Sequence, residues 1–516
     1  MLGKVPSLGG LFGSKTDHPL ADPREMRRLI AEIPTDNAFK ALDEVAGWLE
    51  SLLQVPDFPV DRLFEAACLL DEAAQPHVRR LTRDYLYAQR PSKAEEKRLW
   101  TIVRGFWSLV ASAYERCLDL AVAKEGGGDR LKSSLPLLAT RLIGALGALA
   151  KWDQFRYGPA DESQWLRVGR AYLAAEAGGY GAKPLQAYGG QSGVTSAQLE
   201  YLKILVFSAS SMDCLVPYEI ELAERLIAHF LPGFLFSAEY RHDHVYWVDP
   251  TLPQGPMRLA RLPETVSSSL RFFQPGAAFA NLEKVILEVE RGGDIPAEIN
   301  LGGQFAAKAV LPVMRHLRLY WAPVPPQRRH DRHRVKHRMS VLNGLISAFV
   351  VYSEEFGGKP VGLQMESWVV ENVSRGGFGA AVGAAPAEWL KVGALVIMQP
   401  EGGDNWLLGV IRRYSRVNDS EAHVGVETLA RQVRSVEMKQ RTASSYAAAA
   451  GVPALWLQDG NEPGEVRLVL PPASFDLREA MEFDHQGRRI QLNPVALLEQ
   501  TADYELARYR PTLAQA

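Results

Sequence analysis

The stretch whose reading decides this chain is Gln327-Arg328-Arg329-His330-Asp331-Arg332-His333-Arg334-Val335-Lys336-His337-Arg338, answered downstream by Asn372-Val373-Ser374-Arg375-Gly376-Gly377. The first is strongly basic. The second is a polar turn closed by two glycines. Arginine suits anion recognition because its planar fork grips phosphate oxygens bidentately and pairs with O6 and N7 of guanine. Asn372 and Ser374 can hydrogen-bond to a ligand edge or lock their own turn. Gly376 and Gly377 let backbone N–H groups approach an anion without a Cβ in the way.

Working outward, strand-like segments are expected over 335–341, 345–352, 364–373, 390–398, 406–414 and 423–429, separated by glycines and charged turns. Short strands at this spacing predict a small antiparallel barrel over 328–435. Immediately upstream, Pro323-Val324-Pro325-Pro326 cannot continue a helix and predicts a stiff linker over 323–327. Downstream, 432–450 is charged and then alanine-rich, which predicts a helix or linker. The last part, 451–516, reads as a small β-rich domain or a barrel extension, with a short helical piece over 495–500.

The first half reads differently. In 39–53 the apolar residues Phe39, Leu42, Val45, Ala46, Leu49 and Leu53 recur at three- and four-residue steps, the face of a helix that Asp36 or Asn37 could cap. Similar stripes run to about residue 232 and predict an all-α domain over 18–232, with hairpins stacked on one another. Trp165, Val168, Gly169 and Tyr172 fit the opening of a tetratricopeptide helix, in which the small residue admits a neighbouring helix, but no second repeat follows. From 233 to 322 aromatic-rich strands alternate with helices over 277–290 and 303–321. The fold class expected is therefore multidomain α+β: an all-α N-terminal domain, a mixed α/β middle segment, an antiparallel β-barrel and a small C-terminal β-rich segment.

Composition narrows the function. A 516-residue chain of net charge −2 does not coat nucleic acid in bulk, so any anion affinity belongs to a local patch. Cys68, Cys117 and Cys214 lie far apart and suggest reduced thiols in a cytoplasmic protein. Residues 1–17, rich in Gly, Ser and Lys, read as a disordered leader rather than a signal peptide. The most apolar run, 135–150, is short for a membrane span and carries Arg141, so a buried helix is expected. His242-Asp243-His244 lacks a third nearby ligand and reads as a hairpin turn. No Walker loop, His-Glu-x-x-His helix, nucleophile elbow or paired-cysteine metal site points to an enzyme, and no cofactor is expected.

With these motifs in place, 328–427 resembles a PilZ domain, the bacterial cyclic di-GMP receptor module. That family carries an Arg-x-x-x-Arg motif in a loop before its first strand, matched here by Arg328 to Arg332. It also carries an [Asp/Asn]-x-Ser-x-x-Gly motif, matched by Asn372, Ser374 and Gly377. The resemblance implies that Arg328 and Arg332 grip guanine and phosphate of cyclic di-GMP. It further implies that Asn372, Ser374 and Gly377 hold the other guanine edge, with Gly376 beside them, and that Arg329 and Arg334 add phosphate contacts or stacking. Arg334 and Arg338 form a second Arg-x-x-x-Arg register. The first is preferred because Arg338 would already lie inside the first strand. The long interval from Arg332 to Asn372 predicts an enlarged hairpin over 354–359.

The leading expectation is thus a cyclic di-GMP receptor that relays binding to an unidentified protein partner through the helical domain. The alternative is a barrel that binds no ligand and serves as a protein–protein adaptor. A third reading, nucleic acid held by the basic tract, ranks below both, because the chain is slightly acidic and no array of stacking aromatics lies near the tract.

Overall fold

A computed structural model describes residues 18–88, 92–159, 161–189, 193–259, 267–324, 330–353, 364–383, 389–418, 420–440 and 451–513. The expected leader over 1–17, most of the proline linker and the expected hairpin over 354–359 lie outside the described residues. The fold is multidomain α+β, and the chain divides into two compact units. The second unit comprises Gln327–Ala516 with two short stretches, Tyr157–Ala160 and Asp213–Val216.

The first unit begins with α1 (Pro23–Ala31), α2 (Ala38–Leu53), α3 (Val60–Tyr87), α4 (Lys93–Ala123), α5 (Leu135–Gln154) and α6 (Glu162–Ala177). A two-stranded ladder, β1 (Leu185–Gln186) with β2 (Val194–Thr195), precedes α7 (Ala197–Ala209) and α8 (Pro217–Phe230). In α2, Asn37 Oδ1 accepts the Lys40 N–H at 3.0 Å, satisfying one of the free donors of the first turn. Its stripe buries Leu42, Val45, Leu49 and Leu52. Helix α5 is long and apolar enough to cross a membrane by length and composition alone, yet more than half of its apolar window is buried within the unit. The buried Arg141 on that helix is satisfied internally. It donates to Ala187 O at 2.7 Å and to Tyr114 Oη at 3.3 Å, and it pairs with Glu72. Asp71, equally buried, accepts from the hydroxyls of Tyr114 and Tyr188 at 2.9 and 3.0 Å. Charges this deep persist because each finds partners.

The first unit ends with a four-stranded antiparallel sheet and two helices. The strands are β3 (Leu235–Ser237), β4 (Tyr246–Val248), β5 (Met257–Arg258) and β6 (Arg271–Gln274), in the order β3-β6-β4-β5. Helices α9 (Ala277–Glu290) and α10 (Ala307–Trp321) follow. The glycine of the tetratricopeptide-like opening has a different purpose here. A Cβ on Gly169 would sit 1.9 Å from Pro250 O, so the small residue admits a turn and not a neighbouring helix.

The second unit holds two closed six-stranded barrels. The first is built from β7 (His333–Asn343), β8 (Glu366–Ser374), β9 (Gly377–Gly383), β10 (Leu395–Pro400), β11 (Leu407–Arg416) and β12 (Glu421–Ala430), with α11 (Gly344–Val351) between β7 and β8. The second uses β13 (Val433–Gln440), β14 (Val452–Leu457), β15 (Val466–Leu470), β16 (Met481–His485), β17 (Arg488–Gln500) and β18 (Glu505–Leu513). Around the first barrel the strands run β7-β8-β9-β12-β11-β10, and around the second β13-β14-β15-β18-β17-β16. The two orders are the same, strand for strand.

Each barrel fills its interior by alternation. Trp368, Val370, Val396, Ile411 and Val424 belong to the first core, and Met438, Leu468, Phe483 and Leu492 to the second. A third cluster is shared: Leu342, Leu395 and Val410 from the first barrel pack with Leu455, Val469 and Tyr504 from the second, joined by Ala348 and Val351 of α11. Burying each such large side chain is worth about 1.5–3 kcal/mol, so this seam makes the two barrels one body.

Several expectations for this unit are corrected. The apolar run over 345–352 is a helix, because a short apolar run carries no period that separates helix from strand. That helix also occupies part of the long interval between Arg332 and Asn372. The expected helix or linker begins instead with a strand, β13, in which Val436 and Met438 face inward while Glu437 and Lys439 face solvent. The expected helical piece over 495–500 is the end of β17. Two irregularities in its pairing with β18, between Pro494 and Ala496 and between Leu497 and Glu499, break the alternation that marks a strand. The C-terminal segment is itself a closed barrel, completed by β13.

Candidate ligand-binding site

The described part of the basic tract meets the second motif where β7 pairs with β8 in the first barrel. Of the basic tract, Arg328 and Arg329 lie outside the described residues, and Arg332 is exposed just before β7. Strand β7 starts at His333, two residues earlier than expected, and pairs antiparallel with β8. His333 lies opposite Val373 and Arg334 opposite Asn372. Arg338 is within β7, where its guanidinium approaches Ser367 Oγ at 3.4 Å. His330 reaches the turn itself, since a Cβ on Gly376 would lie 3.5 Å from His330 Cδ2.

The turn is braced from behind. Ser374 Oγ donates to Gly377 O at 3.1 Å, and Thr428 N donates to Gly376 O at 3.0 Å. Arg431 Nη2 donates to Arg375 O at 3.2 Å. A Cβ on Gly377 would fall 2.0 Å from Val426 O, so the need for glycine there comes from the close approach of β9 to β12.

Asn372 is the exception to this self-sufficiency. Its Oδ1 is buried and has no hydrogen-bond partner among the described residues. The amide lies against Gly379, where a Cβ would come within 2.7 Å of Asn372 Nδ2. The strand registers place Arg334, Asn372, Gly379, Gly425 and Arg413 in one row across four neighbouring strands, β7, β8, β9 and β12, and on to β11. Phe378, Ala380, Val424 and Val426 point into the core, so alternation turns Gly379 and Gly425 outward. The outer face is therefore flat between Asn372 and Arg413, with arginine at both ends. Arg413 is ion-paired with Asp213 of the same unit.

No strand was expected over β9, which carries Gly379, whereas Gly425 lies in β12, within the strand expected over 423–429. Glycine and alanine disfavour strands, so Gly-Phe-Gly-Ala-Ala-Val-Gly carries little strand propensity. Its signal was the alternation, with Phe378, Ala380 and Val382 inward and small residues outward. His330 and Arg431 carried no sequence signal beyond their charge.

Residues 24–239 match the family described as "Cyclic-di-GMP receptor FimW, N-terminal domain". The helical half of the chain is therefore similar to the N-terminal domain of a cyclic-di-GMP receptor. No curated protein matches the chain.

Proposed function

We propose that this chain is a cyclic di-GMP receptor that holds the dinucleotide on the outer face of its first, PilZ-like barrel. The observation that carries the reading is the unpartnered, buried Oδ1 of Asn372, set beside Arg334 and over a floor of glycine. A buried acceptor left unpaired costs about 1–3 kcal/mol, and a guanine N–H would supply the missing bond. The flat strip past Gly379 and Gly425 accommodates a planar base. Arg332 and Arg334, with Arg328 and Arg329 upstream, provide the charge for the phosphates. The similarity of 24–239 to a cyclic-di-GMP receptor's N-terminal domain supports the same ligand from a separate part of the chain.

Function follows from binding, without catalysis and without a cofactor. The ligand draws the basic tract onto the barrel, and the difference in affinity between the two arrangements shifts their populations. A protein partner reads the shift, with the helical unit as the surface offered to it. The site of action is the cytoplasm, which fits three free thiols.

Calorimetry on the full chain with cyclic di-GMP tests the reading. Saturable binding at micromolar ligand or below is expected, and its absence in folded protein overturns the proposal. A pull-down with and without the dinucleotide then tests the relay, which predicts a partner whose recovery depends on ligand.

A further inference from the structure

The second barrel repeats the first strand for strand, so its β14–β15 connection corresponds to the β8–β9 hairpin that Asn372 to Gly377 span. Its sequence there is Asp459-Gly460-Asn461-Glu462-Pro463-Gly464, the same pattern with asparagine for serine. The side chains of Asp459 and Asn461, however, are both engaged. Asn461 Nδ2 donates to Leu457 O at 2.8 Å, and Asn461 Oδ1 accepts the Arg467 N–H at 3.2 Å. Arg467 Nη2 donates to Asp459 O at 2.9 Å and to Leu429 O at 3.1 Å. Both carboxylate oxygens of Asp459 accept the Arg431 N–H at 3.0 Å, and Oδ1 also accepts the Gln432 N–H at 3.2 Å.

Arg431 connects this closed turn to the candidate ligand turn. Its backbone is fixed by Asp459, and its guanidinium holds Arg375 O. Because a trans peptide is planar, with its C=O and N–H pointing in opposite directions, drawing Arg375 O towards Arg431 aims the Gly376 N–H away from it. Gly376 itself is exposed, and His330 of the basic tract lies beside it. Thr428 treats the next carbonyl, Gly376 O, in the same way. Thr428 lies near the end of β12, and Arg431 follows in the short segment that joins the two barrels.

We infer that Arg431 is a positioning residue for the cyclic di-GMP turn, and that the second barrel, through Asp459, is the mount that fixes it. The inference rests on the receptor reading above. It gives the duplicated barrel a purpose: its own turn has become a support for the turn of its neighbour.

The test is calorimetry with cyclic di-GMP on the full chain, run beside thermal unfolding. Arg431→Ala is expected to weaken binding by about 5- to 10-fold, the range for one lost hydrogen bond, with little change in Tm because the side chain is exposed. Arg431→Lys, which keeps a donor, is expected to recover part of the loss. Asp459→Ala should weaken binding by a similar factor, and the double variant by no more than the larger single, since both act through one element. Unchanged affinity in Arg431→Ala overturns the inference, as do additive losses in the double variant. Binding losses that merely follow a fall in Tm, equal in Ala and Lys, also overturn it. If the wild-type chain does not bind at all, the receptor reading fails and this inference with it.

Discussion

Among the described residues, the first barrel leaves the buried Oδ1 of Asn372, near the end of β8, without a partner, whereas the second engages Asp459 and Asn461 of its β14–β15 connection. The strand order is the same, so topology does not decide which barrel offers a site. The difference lies in a few side chains and in what lies beside them. The first barrel has a basic tract entering β7, and glycines at 379 and 425 that clear its outer face. The second has Arg467 folded back into the turn. Fold gives the frame, and a few side chains set how the polar groups of each turn are engaged.

The largest effect should come from the charges that one barrel has and the other lacks. Arg332→Ala with Arg334→Ala removes two charge-assisted contacts, each worth about 1.5–3 kcal/mol. A loss of roughly 100-fold or more in cyclic di-GMP affinity is expected by calorimetry. Retained affinity would move the grip to the Arg334–Arg338 register's second member or to Arg328 and Arg329.

The next effect is one of sign. Asn372→Ala takes away an amide whose Oδ1 has no partner, so the empty protein should be as stable as wild type or more so, while ligand affinity falls by about tenfold. Asn461→Ala breaks bonds that are all made and should lower stability by about 1–2 kcal/mol. Denaturant titrations of the two variants check this. Equal destabilisation would erase the contrast between open and closed turns. Gly379→Ala follows with a smaller effect. Its Cβ would meet Asn372 Nδ2 at 2.7 Å, and displacing that amide should weaken binding by several-fold with a modest stability cost.

These contrasts were only partly legible in the sequence. The helical half and the presence of a barrel follow from period and punctuation, as in the buried stripe of α2 and its Asn37 cap. The paired motifs pointed to the β7–β8 face on which the ligand is proposed to bind. What the sequence did not reveal is non-local. That β13 closes a second barrel depends on pairing with β14 and β16, and β17 hides its strand character behind irregular pairing. The unpaired state of Asn372 depends on which neighbours fail to reach it, and no local pattern records that. The turn at 459–464 shows the same limit from the other side, since its residues read as another polar loop until the strand order makes it a counterpart.

The smallest expected effect concerns how the two barrels hold together. Arg412 of the first donates to both oxygens of Glu499 in the second, at 2.6 and 2.7 Å, and Tyr504 Oη donates to Glu499 Oε1 at 2.8 Å. Burial alone would raise the Glu499 carboxyl above its ordinary value, but the Arg412 guanidinium and the Tyr504 hydroxyl more than offset this, and it is held lower. A carboxylate whose folded pKa is depressed contributes stability that is complete above its unfolded value, near 4.5, and is lost as pH falls through the folded value. Acidification from about pH 5 towards pH 3 should therefore lower the Tm of the wild type more than that of Glu499→Gln. Other carboxylates titrate in both proteins and cancel in the comparison. At neutral pH the variant should be the less stable, because among the described residues Arg412 then keeps only Glu427 as a charged partner, at 2.7 Å. Parallel pH profiles for the two proteins would show that the apolar seam around Leu395, Leu455 and Tyr504, and not this ion pair, sets how firmly the second barrel is mounted on the first.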